Sequence, residues 1–301
     1  MSNKIRIVDQ DIIFLSYDEP NCEKNYADLC SKLPWAKRVH GVEGSDAAHK
    51  ACADLSDTEY FVTVDGDNII DPAFLNQEID LDELGLDNEY VFSWCGKINV
   101  NGLMYGNGGL KLWTRNFVHN MQTHEHSTPD DDKGLVEFCF DEKYYQFNEN
   151  FSESVISATP HQAWRAGFRE GVKMSLNEGA KSDNIQKAWW QNYERLLVWC
   201  SVGNDVENGW WSMLGAREGA YLTNCTDWDY VNVRDFEYLK NYWEENYNAD
   251  LKGQAESKFD QYAKELSSQC GLEIGTLDSN SSKFFKRVYN NSPRVVRTKG
   301  K

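Results

Sequence analysis

The feature that most constrains this chain is an alternation of two hydrophobic periods across its first 70 residues. Ile12 to Leu15 is a short apolar run that ends in the turn signal Ser16-Tyr17-Asp18-Glu19-Pro20-Asn21. Tyr26, Leu29, Cys30 and Leu33 then recur at helical spacing. Arg38 to Val42 reads as a second strand, Glu43-Gly44-Ser45 as a turn, and Asp46 to Leu55 as a short Ala-rich helix. Tyr60 to Val64 is a third strand and runs directly into Asp65-Gly66-Asp67. Strand, helix, strand, helix, strand is the order of an open, mostly parallel sheet flanked by helices, so the expected class is α/β. Ligands of such sheets sit beyond the C-terminal ends of the strands. Ser16-Tyr17-Asp18 and Asp65-Gly66-Asp67 should therefore face one crevice.

Aspartate and glycine can simply end a strand in a turn. Two carboxylates across a glycine can also hold a hard divalent cation such as Mn2+ or Mg2+, leaving positions open for water and substrate phosphates. A diphosphate in those positions would have its developing charge neutralised by the metal. The strand-end position favours the metal reading, with Asp65 and Asp67 as ligands. His161 is the candidate third ligand, ahead of His124 and His126.

Between Tyr90 and Arg115 the chain turns to extended pieces rich in glycine, read as strands folding over the sheet edge. Gly106-Asn107-Gly108-Gly109-Leu110-Lys111 lacks the strand-to-helix context of a phosphate loop, and no GKS or GKT follows. It reads either as a close-approach turn with Lys111 reaching phosphate or as a plain hairpin turn. Residues 120 to 150 are polar and read as a lid or a surface excursion. Thr159-Pro160 opens a helix, with threonine as cap and proline in the first turn. Trp164, Phe168 and Val172 line one face; His161, Arg165, Arg169 and Lys173 line another, suited to a diphosphate, a nucleic-acid backbone or plain solvent. Further helices are expected at 185–201, 235–247 and 254–269.

The net charge of −17 speaks against a polyanionic partner, but seven Lys or Arg and no acid lie between Lys283 and Lys301. With 11 Trp and 15 Tyr there are many flat rings, most of them expected in the core. No run is long enough to span a membrane and the first residues lack a signal-peptide apolar region. The eight cysteines form no CxxC pair, which fits reduced thiols and a cytoplasmic location. No nucleophile elbow, zinc spacing or Ser/His/Asp grouping supports hydrolase chemistry.

The blocks FLSYDEPNCEKNYADL and KRVHGVEGSDAAHKACADLSDTEYFVTVDGDN resemble the donor half of a GT-A glycosyltransferase with its Asp-x-Asp motif. YGNGGLKLWTR, ATPHQAWRAGFREGVKM and ERLLVWCSVGNDVENGWWSMLGAREGAYL are similar to GT-A-like proteins encoded mostly by tailed phages. The resemblance covers roughly residues 10 to 245. It implies a Rossmann-like central sheet with a helical C-terminal extension, a nucleotide-sugar donor such as a UDP-sugar, and a Mn2+ or Mg2+ ion. It also implies a DNA acceptor carrying a hydroxymethylated pyrimidine. The organisation expected is a transferase domain at 1–245, with a donor half at 1–115 and an acceptor-side half at 116–245. A helical extension with a basic tail follows at 246–301.

The donor set is then Ser16, Tyr17, Asp18, Glu19, His49, Asp65, Gly66, Asn68, Gly108, Gly109, Lys111 and Arg165. Trp94, Trp164 and Lys173 are expected on the acceptor side. Asp67 and Arg169 are expected to act in catalysis, and Glu170, Asp205 and Glu137 compete as the base for the acceptor hydroxyl. A polysaccharide or protein acceptor would need the same machinery. Two other classes stay open: a metal-dependent nuclease or nucleotidyltransferase, and a non-catalytic carbohydrate-binding module.

Overall fold

The computed structural model describes residues 3–106, 109–121, 123, 142–177, 179–181, 184–247 and 252–289. Gly108, His124, His126 and Glu137 lie outside these residues, as does most of the basic tail. In chain order the strands are β1 (Lys4–Arg6), β2 (Asp11–Ser16), β3 (Lys37–His40), β4 (Tyr60–Asp65), β5 (Asn68–Ile70), β6 (Glu78–Asp80), β7 (Val91–Ile98), β8 (Met104–Tyr105), β9 (Leu110–Thr114), β10 (Tyr144–Ser154), β11 (Leu176–Asn177) and β12 (Ala180–Lys181). The helices are α1 (Cys22–Lys32), α2 (Ser45–Leu55), α3 (Leu81–Leu84), α4 (Arg115–Asn120), α5 (Pro160–Met174), α6 (Trp190–Ser201), α7 (Gly209–Cys225), α8 (Phe236–Asn246), α9 (Lys252–Cys270) and α10 (Ser279–Val288).

Eight strands form one sheet in the order β3-β2-β4-β9-β7-β10-β5, with β8 paired to β7. The expected α/β architecture is present, but the sheet is mixed rather than mostly parallel. β2 runs parallel to β3 and β4, and β10 parallel to β7. β9 is antiparallel to both β4 and β7, and β5 is antiparallel to β10. The Tyr90–Arg115 segment, expected over the edge, supplies the middle of the sheet. Every residue of β9 is buried, as a strand covered on both faces requires. Pleating sends Phe14, Val62 and Leu112 to a core under α1, and Ile13, Phe61 and Trp113 to a second core under α2 and α4.

The link from β4 to β5 bends this sheet. β4 is third in the strand order and β5 last, four places away, or about 19 Å in a flat sheet. Only Gly66 and Asp67 separate them, and three Cα steps reach about 11 Å. The sheet must curl until β5 returns over the end of β4, which sets Asp65-Gly66-Asp67 at the seam.

The second body of the fold is helical. Gly167 and Gly171 on α5 face the backbone of Ser212 and Ala216 on α7, and Gly215 and Gly219 on α7 face that of Trp164 and Phe168 on α5. A Cβ at any of the four would fall within 3.0 Å of a backbone atom of the opposite helix, so only glycine lets these backbones touch. Around this pair Trp164, Phe168, Met213, Leu214, Phe259 and Tyr262 form a core. The helix expected at 185–201 is broken into a 3-10 turn at Ile185–Lys187 and α6. β10 pairs inside the sheet beside β7, and α9 buries Phe259 and Tyr262 against α7.

Candidate active site

Three peptide groups of the seam are held by hydrogen bonds. The Asp65 N–H donates to the Gly109 carbonyl (3.0 Å), and the Asp67 carbonyl accepts from the Val155 N–H (2.7 Å). The Gly66 carbonyl accepts from Asn25 Nδ2 on α1 (3.0 Å). Asn68 donates through Nδ2 to Asp67 Oδ1 (2.6 Å) and accepts at Oδ1 from Ser154 Oγ (3.0 Å). Glu19 folds back over Gly66: its Oε2 accepts from the Tyr17 N–H (2.8 Å), and a Cβ on Gly66 would stand 2.6 Å from that oxygen. Gly109 is similarly covered by the Asn68 amide. The loop after β2 and the turn after β4 thus converge, as their strand-end positions require.

The result is a crowd of carboxylates. Burial pushes the Asp65 carboxyl up to about 6, with the Lys111 charge opposing and Glu19 adding to the rise. Asp67 is pushed up to about 7 by burial, then by Asp65 and Glu19, against the Asn68 hydrogen bond and Arg165. Both side chains are half-buried. Like charges gathered where water is scarce are costly, and a hard cation with oxygen ligands would remove that cost. Asp65 and Asp67 therefore fit a divalent ion with open positions, whose charge would be available to a departing phosphate.

Helix α5 delivers the basic side of the crevice. Its first turn is capped by Thr159 Oγ1, which accepts from the Gln162 N–H (3.1 Å). Gln162 Nε2 donates to Asn21 Oδ1 (3.1 Å), and Asn21 Nδ2 donates to the Val155 carbonyl (2.9 Å), docking the helix start on the first loop. One turn on, Arg165 lies close enough to depress Asp67 electrostatically. Arg165 and Arg169 share the exposed Phe236 ring, at 5.1 and 4.7 Å from its centroid.

His161 does not join the aspartates. It packs beside Trp243 (5.3 Å between ring centroids) and Trp164 (6.3 Å), and burial followed by the Arg165 charge lowers its pKa. Its Nε2 is buried with no hydrogen-bond partner among the described residues. Among those residues, the single group of three side chains spaced for a metal is Cys22, Glu23 and His40. The Arg38 guanidinium already occupies it. Nη2 reaches Glu23 Oε1 (2.6 Å), Cys22 Sγ (3.7 Å) and His40 Nδ1 (3.2 Å), and Nε donates to Ser16 Oγ (3.1 Å). That cluster is an arginine socket.

The remaining expected residues divide by packing. Tyr17 and Asp18 are exposed on the first loop, in position to meet a ligand. Ser16 is buried, its hydroxyl committed to Arg38 and His40 (3.0 Å), so it orders the loop from behind. His49 is buried edge-on to Trp113, with Nδ1 against the Ser45 carbonyl (2.7 Å). Lys111 is buried, across the ladder from Thr63, and its charge opposes the rise of the Asp65 carboxyl. Trp94 at 2% and Trp164 at 0% exposure are core rings and cannot stack an acceptor. Lys173 lies 3.4 Å from Glu170, which also accepts from the Tyr105 hydroxyl (2.6 Å). Asp205 pairs with Lys286 at 2.7 Å. Glu170 and Asp205 are thus engaged in ion pairs of the helical body.

Glu19, Asn25, Asn21 and Gln162 do more at the seam than the sequence reading assigned them. The available signal was positional: each sits in or beside a strand-end turn or helix cap that opens on the crevice.

No family model matches this chain, and no curated protein matches it. A glycosyltransferase involved in the glycosylation of the major capsid of PBCV-1 aligns at 14% identity over 50% of this chain and 94% of its own, with a TM-score of 0.30. HddC from Yersinia pseudotuberculosis aligns at 15% identity over 45% of this chain and 68% of its own, with a TM-score of 0.24. Neither likeness is close enough to assign a fold or an activity. No described helix is long and apolar enough to cross a membrane.

Proposed function

We propose that this chain is a metal-dependent glycosyltransferase that moves a sugar from a nucleotide-diphosphate sugar to a hydroxyl. The observation that carries the reading is the convergence of Asp65, Asp67 and Glu19 at the C-terminal ends of β4 and β2, with Arg165 beside them. Asp65 and Asp67 would hold Mn2+ or Mg2+, which supplies charge neutralisation at the diphosphate. Arg165 and Arg169, kept side by side on Phe236, would meet the same phosphates. Tyr17 and Asp18 would line the nucleotide. The acceptor proposed is a hydroxymethylated pyrimidine in DNA within a cytoplasm. It rests on the resemblance to phage-encoded GT-A proteins and on the basic run from Lys283 to Lys301.

The test is diphosphate release from a panel of sugar nucleotides with Mn2+, adding plain, hydroxymethylcytosine and hydroxymethyluracil DNA in turn. Release stimulated by a modified DNA alone supports both donor and acceptor. Release with a polysaccharide or protein alone would keep the transferase and replace the acceptor. DNA cleavage or nucleotide transfer without any sugar nucleotide would replace the transferase itself.

A further inference from the structure

A cavity of about 650 Å³ opens in the helical body, lined by none of the crevice residues. Its wall includes Lys181, Asn184, Gln186, Asn224, Gln269 and Cys270. Cys270 closes α9 and Cys225 closes α7, and their Sγ atoms stand 3.4 Å apart. Both are free thiols and neither is fully buried. The surrounding contacts hold this corner in place. Gln186 Nε2 donates to the Cys270 carbonyl (3.3 Å), and Lys181 Nζ donates to the Thr226 carbonyl (3.3 Å), one residue beyond Cys225. A wall of amides with one ammonium suits a small molecule that itself carries amides and carboxylates.

We propose that Cys225 and Cys270 form a thiol–disulfide exchange site, and that the cavity admits a low-molecular-weight peptide disulfide as oxidant. Cys270, on the cavity wall, attacks as thiolate one sulfur of that disulfide. The peptide S–S bond breaks, a Cys270–peptide mixed disulfide forms, and the other peptide sulfur leaves and takes up the proton. Cys225 then attacks Cys270 Sγ, the second peptide leaves as a thiol, and the internal disulfide closes. The protein gives up two protons and two electrons, and the peptide disulfide receives them. Excess peptide thiol reverses both steps. The closed bond joins positions 45 apart and ties the ends of α7 and α9, restricting the unfolded chain and stiffening the helical body. This site stands whether or not the transferase reading does.

The experiment incubates the native full-length protein with oxidised glutathione, quenches by alkylation under denaturing conditions and maps the peptides. Two free thiols should be lost, with Cys225 cross-linked to Cys270. The melting temperature should rise by several degrees and return with dithiothreitol. Cys225→Ser should stop at the mixed disulfide, with one glutathione on Cys270. Recovery of Cys225 and Cys270 as alkylated thiols, or glutathione retained on a different cysteine, overturns the proposal. If the serine variant does not fold, the wild-type map alone decides between these outcomes. Oxidised dithiothreitol, which carries no peptide, is the control for the cavity. Equal rates with both oxidants would overturn the peptide site.

Discussion

Glu218 in the helical body and the half-buried carboxylates of the seam face opposite fates. Glu218, on α7, is 0% exposed, and its two oxygens accept four hydrogen bonds. Trp164 Nε1 (2.8 Å) and the Tyr247 hydroxyl (2.7 Å) donate to Oε2, while the hydroxyls of Tyr242 (2.8 Å) and Tyr262 (2.9 Å) donate to Oε1. Four donors saturate what a carboxylate can accept. Burial and the Glu218 charge push all three tyrosine hydroxyls far above their usual range, so they remain donors. Asp65 and Asp67 instead face each other and Glu19, with Lys111, Arg165 and Asn68 as partial compensation. The chain can satisfy an interior carboxylate completely and does so in the helical body. Leaving three of them in conflict at the seam is a cost that stability alone would not retain.

The largest effect should come from breaking the satisfied site. Glu218→Ala leaves four interior donors without an acceptor, each worth about 1–3 kcal/mol, so a loss of at least ~4 kcal/mol is expected. A urea midpoint within error of wild type would show that the Glu218 network does not hold the helical body together. The conflicted site should behave oppositely. Asp67→Asn removes a repelling charge and should raise stability by about 1 kcal/mol or more, since one pKa unit corresponds to ~1.4 kcal/mol. The same change should lower sugar-nucleotide turnover by about 100-fold or more, the usual scale for losing an electrostatic stabiliser of the transition state. A destabilised Asp67→Asn protein, or one with full turnover, would erase the distinction between the two regions.

The contrast also explains how much was legible beforehand. The strand-helix order from β2 to β4, the aspartates at a strand end and the Thr159-Pro160 helix start are local patterns, and the structure shows each of them. The middle of the sheet was not legible, because β9 and β10 are placed by pairing with strands distant in sequence. The polar 120–150 segment in fact ends in the start of β10. Helix α7 escaped because it is surrounded on every side and carries no amphipathic stripe. The four-residue glycine spacing at 167/171 and 215/219 was its one available mark. Glu218 and its neighbour Arg217, both buried, look like surface charges in a sequence window. Trp94 and Trp164 look like stacking platforms there, and the structure spends them on the core.

Divalent metal sharpens the comparison further. Mn2+ at about 100 times its dissociation constant should stabilise the wild-type protein by ~2.7 kcal/mol by mass action. Asp65→Asn and Asp67→Asn should abolish that gain in a thermal melt without sugar nucleotide, and Glu23→Gln should leave it unchanged because Arg38 already fills that socket. A gain lost only in Glu23→Gln would move the ion to the Cys22–Glu23–His40 group. Smaller again is Thr159→Ala, which removes the cap that seats α5 on the crevice and should cost about 1 kcal/mol. Its diagnostic reading is at Arg165: a frayed first turn should raise the Michaelis constant for the sugar nucleotide, whereas a purely structural cap would change stability alone.

Asp11 stands between the two extremes and carries the smallest expected effect. Burial raises its carboxyl pKa, but the Lys37 ammonium (2.8 Å), the Asp57 N–H (2.6 Å) and Ser56 Oγ (3.3 Å) outweigh burial and hold it below the usual range. A carboxyl lowered in the folded state adds stability above its unfolded value of about 4, and that stability is lost as pH falls through the folded value. Asp11→Asn should therefore lower the melting temperature slightly at pH 7, by an amount corresponding to about 1 kcal/mol or less for a partly exposed pair. The gap between variant and wild type should close as the pH drops below about 4. A gap that is constant with pH would mean that Asp11 acts through its shape and hydrogen bonds alone. The saturation seen at Glu218 would then be a matter of hydrogen-bond number rather than charge, and the conflict at Asp65 and Asp67 would have to be weighed in the same terms.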